Sequence, residues 1–298
     1  MLLALRKTTI LVFDITLEAK KVNMNLRVPR FTFFVGAHHT VSGVLQKCST
    51  DIHAKLIEND VQVFHPVEFR EFIRAQSSEG SKNGGVKAQS SIEQTRQGLS
   101  KLYRDAISSN FQGRFLIFEE AFLGSVRMGL QKGLLYPNAH NQLKVLPAEL
   151  DNPWHTICLV IRPYDEFFAA SYDAVVRRGA VIDVDEFRAN VCKLERNWLH
   201  IVEEIADRLP NAQIRLWKAS ETFELGDQIE TELYGKIVGI IPSYGKVRSG
   251  LEKPDLGSGK NNALDFWSKK QSSQLKRAFD VHWEALTEQW PDALFAAR

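Results

Sequence analysis

Two periodicities alternate along the chain, and their alternation lays out its elements. Phe31, Phe33, Phe34 and Val35 form the aromatic and β-branched run of a strand covered on both faces, and Gly36 follows where the backbone turns out of it. Beyond it Val41, Val44, Leu45, Cys48, Ile52 and Leu56 recur at spacings of three and four, which predicts a helix of about five turns starting near Thr40. Residues 61–66, VQVFHP, predict a second short strand, with a helical turn over 67–73. Residues 75–90, rich in Ser and Gly with Val86 among them, predict a mobile surface loop, either a lid over a site or a poorly ordered insertion.

The same two patterns continue to the C-terminus. Ile92, Leu99, Leu102, Tyr103 and Ile107 predict a helix over 91–108, and RFLIFEE predicts a strand over 114–120. TICLVIR, residues 156–162, is the clearest buried strand and passes straight into a helix ending at Arg177, Arg178 and Gly179, where cations suit the C-terminal dipole. Amphipathic helices over 184–194 and 198–209, a strand over 213–221 and a long helix over 263–290 complete the series. Five strand signals alternating with helices predict an α/β fold, a mainly parallel five-stranded sheet with helices on both faces. In such a sheet the ligand crevice lies at the carboxyl ends of the strands.

Composition narrows the classes without choosing among them. With 298 residues, 44% hydrophobic and 25% charged, the chain is long enough for one large α/β domain, expected over 24–298. A net charge of +2 and a pI near 8.3 are too mild for a nucleic-acid surface, so any anion site must come from local clusters. Cys48, Cys158 and Cys192 are odd in number and lack metal-ligand spacing, which fits a reducing cytoplasm and no metal. Residues 1–23 are apolar but carry Arg6, Lys7 and Asp14, so they predict neither a spanning helix nor a cleaved leader, and they read as an N-terminal extension or, in the alternative, an added strand.

Three places carry candidate chemistry. The strand, loop and helix around Gly36 gather backbone N–H groups and a positive dipole end at one point, to which Thr40 and Ser42 add hydroxyl donors, and this suits a phosphate. The pattern G-x-x-x-x-G-K-[ST] is not there, since Val41 falls where its second glycine belongs. Glu119 and Glu120 arrive at the crevice edge, where one can act as a general base or where one caps the next helix and the other is solvated. Arg162 offers a fork of donors to a phosphate, with Ser171 in the next helix adding a hydroxyl; the competing expectations are an ion pair with Asp165 or Glu166 and a small core serine.

Gly36, Ala37, His38, Thr40, Leu45 and Gln46, with Ser42 as a conservative replacement, resemble the G-x-H-K-T-G-T-T-x-L-Q segment of the PAPS-dependent sulfotransferases in the form common among bacterial members; His39, Val41 and Gly43 depart from it. Glu120 and Gly124 match a second segment, S-[DE]-E-N-L-L-G. Arg162 and Ser171 match the Arg at a strand end and the Ser of the following helix, with spacing one residue longer than the commonest form. Trp217 matches W-x-Y-E-D, and Arg248 with Gly250 resembles the family's R-x-G segment.

The resemblance implies a P-loop-type sulfotransferase fold and PAPS as co-substrate, with no metal. Gly36, Ala37, His38, His39, Thr40 and Ser42 would hold the 5′-phosphosulfate, and Arg162, Ser171 and Arg248 the 3′-phosphate. Glu120 would be the base, and the sulfuryl group would pass to a hydroxyl or amine of a small-molecule or glycan acceptor whose identity the sequence does not carry. His39 would be the second catalytic residue, standing where the family has the lysine that neutralises charge in the transition state. Histidine near neutral pH is only partly protonated and reaches less far. A catalytically impaired binder of PAP, PAPS or a glycan on the same fold, and a P-loop small-molecule kinase, are therefore the alternatives.

Overall fold

The structure, a computed structural model, describes residues 28–36, 53–80, 91–218 and 266–294. β1 (Arg30–Phe34) is the central strand of a five-stranded sheet, flanked by β3 (Arg114–Phe118) and β4 (Thr156–Ile161), with β2 (Val61–Phe64) and β5 (Gln213–Lys218) outside them. The order is β2-β3-β1-β4-β5 and every pairing is parallel. Parallel neighbours cannot be joined by tight hairpins, so helices fill the connections. α1 (His53–Glu58) precedes β2, and α2 (Pro66–Gly80) and α3 (Ser91–Ser108) lead to β3. The short α4 (Val126–Lys132) and α5 (Ala139–Gln142) lie before β4. α6 (Tyr164–Arg177), α7 (Val184–Lys193) and α8 (Trp198–Arg208) lead to β5, and α9 (Lys269–Gln289) packs over the far end.

Aromatic residues of β1 seat the sheet in register. Phe31 lies level with Phe115 and Phe34 with Phe118, and each pair stacks, at 4.6 Å and 4.5 Å between ring centroids. Because side chains alternate along a strand, the two stacks fall on opposite faces, so β1 is buried from both sides. Such pairs add roughly 0.5–1.5 kcal/mol each beyond the burial of their area. At the amino end the buried His155 closes the core, its Nδ1 accepting the Phe31 N–H at 3.1 Å.

Strand order also locates the crevice. From β1 the chain moves toward β2 on one side, whereas from β4 it moves to β5 on the other, so the connections diverge between the adjacent strands β1 and β4. That divergence is the switch point at which open α/β sheets bind ligands.

The elements depart from expectation in several places, and β2 stops at Phe64 with Pro66 already opening α2. The helix expected to stop near Ile73 runs on to Gly80, into the stretch expected to be a loop, and packs on α3, where a Cβ at Gly98 would stand 2.5 Å from Ile73 Cδ1; the rest of that stretch, 81–90, lies outside the described residues. β3 stops at Phe118, two residues early, since Glu119 caps a 3-10 turn over Glu120–Leu123. The last helix begins at Lys269, where Ser268 and Gln271 form a capping box. Residues 125–155, for which the pattern predicts nothing, hold helices and 3-10 turns of seven residues or fewer, too short for a helical period to register. The extension expected over 1–23 and most of the helix expected from Thr40 lie outside the described residues.

Candidate functional site

Gly36 and Arg162 flank the switch point. Phe34 is level with Cys158 across the β1–β4 ladder, and Val35 N–H donates to the Cys158 carbonyl at 3.0 Å. Counted onward, Gly36 is level with Val160, so Arg162 extends two residues, roughly 7 Å, further toward the crevice. Both residues are buried.

Arg162 is only 5% exposed. Its Nε donates to Glu166 Oε2 at 3.3 Å, one helical turn along α6, so the ion pair weighed against phosphate binding does form, with Glu166 rather than Asp165. Half-exposed Glu166 and the 3.3 Å separation make this a weak tether. The backbone beneath is held more firmly. Trp198, fully buried, donates Nε1–H to the Arg162 carbonyl at 2.9 Å, and its N–H donates to the Tyr164 hydroxyl at 3.1 Å. Two hydrogen bonds from one α8 residue thus brace the turn that presents Arg162.

That brace extends to α9. Asn197 caps α8 by accepting the Leu199 and His200 N–H groups on Oδ1, which leaves its Nδ2 to donate, and Nδ2 lies 3.3 Å from His282 Nε2. His282 is then the Nδ1–H tautomer and donates to the Tyr164 hydroxyl across 3.0 Å. Burial, and to a lesser extent His200, lower the pKa of His282. Burial likewise pushes the Tyr164 hydroxyl up, so both groups stay neutral at physiological pH.

Ser171 lies two turns into α6 and is fully buried, and its Oγ has no hydrogen-bond partner among the described residues. A core hydroxyl without a partner pays its desolvation cost with no return. Among its neighbours in α6, Asp165 is better served: it is also buried, yet Oδ2 accepts from Ser272 Oγ at 2.9 Å and Lys276 Nζ stands 3.7 Å away.

The two carboxylates after β3 divide their roles. Glu119, 4% exposed, accepts the Ala121 N–H at 2.9 Å as the cap of the 3-10 turn, and both its oxygens are held by Arg70. Its hydrogen bonds, with smaller help from Glu120, keep the Arg70 guanidinium above its ordinary pKa against the cost of burial. Glu120 is half-buried and is the first residue of the turn. Phe34 is level with Phe118, so the count puts Gly36 and Glu120 at the same height. Arg70 is the site residue that sequence reasoning misses. It is 49 residues from Glu119 and nothing local marks it.

Of the expected site, then, Gly36, Glu120 and Arg162 meet along the carboxyl edge and Ser171 lies in the helix behind Arg162. Ala37, His38, His39, Thr40, Ser42 and Arg248 lie outside the described residues. Among the described residues, no cluster of three or more His, Cys, Asp and Glu side chains could hold a metal ion, and no helix is long and apolar enough to cross a membrane.

No family model matches the chain, and no curated protein matches it. A solved structure of a sulfotransferase from Alicyclobacillus acidocaldarius superimposes over 86% of this chain and 98% of its own, at 13% identity and a TM-score of 0.39. A likeness of that size does not bear on chemistry.

Proposed function

We propose that the protein binds PAPS at the β1–β4 crevice and transfers its sulfuryl group to a hydroxyl or amine of an acceptor. The observation that carries this reading is the Ser171 hydroxyl, wholly buried and without a partner among the described residues, in a helix that begins two residues after the buried Arg162. A phosphate oxygen would accept from that hydroxyl and from the Arg162 fork together, and Arg is suited to the task by its planar, permanently charged donor set. The resemblance of the Gly36, Glu120 and Arg162 segments to the PAPS-dependent sulfotransferases supports the choice of nucleotide.

On this reading the chain's own groups have distinct tasks. Arg162 and Ser171, with Arg248, hold the 3′-phosphate; Gly36, Ala37, His38, His39, Thr40 and Ser42 hold the 5′-phosphosulfate; Trp198 keeps Arg162 in place. Glu120 takes the proton of the attacking hydroxyl, which Glu119 cannot do while both its oxygens are occupied by Arg70. PAPS supplies an activated sulfuryl group and departs as PAP. No metal is assigned.

His39 stands where the related segment has lysine, and this favours a second reading in which the crevice binds the nucleotide without efficient turnover. Calorimetric titration with PAP, against ATP and ADP, tests the nucleotide in the native chain and in Arg162→Ala. Tight PAP binding that the substitution weakens by about 2 kcal/mol, the scale of a charge-assisted bond, supports both readings. Absence of PAP binding overturns them. Where PAP binds, Lys substituted for His39 separates the two: turnover rises in an impaired enzyme, whereas in a binding protein only affinity changes.

A further inference from the structure

Between the 3-10 turn after β3 and the C-terminal end of α6 lies an open cavity of about 540 Å³, a volume that suits a small molecule, with Arg127 and Arg178 exposed at it. Its position ties it to the site. Ala121, next to Glu120, lines one wall, and Val175, one turn beyond Ser171 on α6, lines another. Gly124 forms part of the lining at φ +104°, a conformation that favours glycine, and a Cβ there would press on Gln142 Cγ at 3.2 Å.

The charges lining this cavity are of one sign. Arg127 and Arg178 both line it, and among the described residues no carboxylate does. Their situation differs from that of nearby cations: Arg177, next in sequence to Arg178, is engaged by Asp173 at 2.8 Å, whereas neither Arg127 nor Arg178 has an ion pair among the described residues. The sequence accounts for Arg178 as a helix cap, and its backbone N–H does cap α6 by donating to the Val175 and Val176 carbonyls. That leaves its side chain unexplained. Arg127, on a different element, lines the same cavity, and Gln142 adds a neutral amide.

We propose that this cavity receives the acceptor and that the acceptor carries an anionic group, a carboxylate or a sulfate, held by Arg127 and Arg178. Two guanidinium groups with no acid between them select for a ligand that brings its own negative charge. With the anion held there, the rest of the ligand lies beside Glu120. The term acceptor rests on the sulfuryl-transfer reading; the preference for anions rests on the cavity alone.

The test titrates the full chain with two anions, glucuronate and phenyl sulfate, each against its uncharged counterpart, glucose and phenol, and measures PAP binding in parallel. Each anion that fits should bind about tenfold tighter than its counterpart. The ratio should fall to near unity in Arg127→Gln/Arg178→Gln, while Arg177→Gln, with a charge removed from the same helix end, keeps it. The arm that shows the preference tells carboxylate from sulfate. Equal binding of charged and uncharged partners in both arms, or a preference that survives in the double variant, overturns the proposal. Anion preference without PAP binding leaves the cavity assigned and removes sulfuryl transfer; PAP binding without anion preference does the reverse.

Discussion

Arg70 holds both oxygens of Glu119, with Nε donating to Oε2 and the second guanidinium nitrogen to Oε1, each at 2.7 Å. The pair joins α2 to the end of β3 and occupies both Glu119 oxygens, whereas the neighbouring Glu120 is the base of the proposed reaction. Arg70→Ala should therefore cost stability, by about 1–2 kcal/mol once the half-exposed arginine is allowed for, because Glu119 stays buried without its partner. Urea denaturation measures this.

Glu120→Gln should behave in the opposite sense. Its effect on stability should be smaller than that of Arg70→Ala, because Glu120 is half-buried and adds only a minor share to the charge around Arg70. Sulfuryl transfer to a hydroxyl should fall by roughly 10²–10⁴. Equal loss of rate in Glu119→Gln at unchanged stability would reverse the assignment of the two residues.

Ser171→Ala separates a ligand-binding hydroxyl from a packing one. Removing a buried hydroxyl that has no partner among the described residues should leave the free protein as stable or slightly more so. PAP affinity should nevertheless drop about tenfold, the loss of one hydrogen bond to a charged group. Thermal unfolding with and without PAP reads both effects from one sample.

Trp198→Phe keeps the aromatic packing and deletes the Nε1–H that donates to the Arg162 carbonyl. The unsatisfied carbonyl should cost about 1–2 kcal/mol of stability, and the loosened turn should weaken PAP binding without touching it directly. Charge reversal at Glu166 offers a comparison, since it acts on the Arg162 side chain rather than its backbone.

Stability should also depend on pH through His155. Burial depresses its pKa from the ordinary 6.5 to about 4. A histidine depressed in the folded state leaves stability whole above its unfolded value and withdraws it as pH falls toward the folded one. The loss should thus begin below pH 6.5, be complete near 4, and reach about 3 kcal/mol at most. His155→Gln, whose amide oxygen can still accept from Phe31, should flatten that part of the profile. His282, lowered chiefly by burial, acts in the same direction.

Elements with a strong period are legible along the chain. The helix over Ser91–Ser108 has the boundaries its apolar stripe predicts, and the buried runs at Phe31, Leu116 and Leu159 all become strands. Arg162 and Gly36 likewise follow from strands that must end at one edge. What the chain does not display is any contact whose partners are far apart in sequence. Arg70 with Glu119, Trp198 with Arg162 and Arg127 with Arg178 across one cavity lie on different elements, and no periodicity relates them.

Local physics explains the division. Backbone propensity and the exclusion of apolar side chains from water act within a few residues, so the sequence by itself determined the parallel α/β order of strands and helices and the edge at which polar residues gather. Strand order is decided by which faces bury each other. Only the tertiary structure placed β1 between β3 and β4, set Gly36 and Arg162 on either side of the crevice, and buried Ser171 without a partner among the described residues. It also decided which of two adjacent glutamates would be consumed by an arginine, because a carboxylate buried at a strand end must find a cation and the nearest one came from a packed helix.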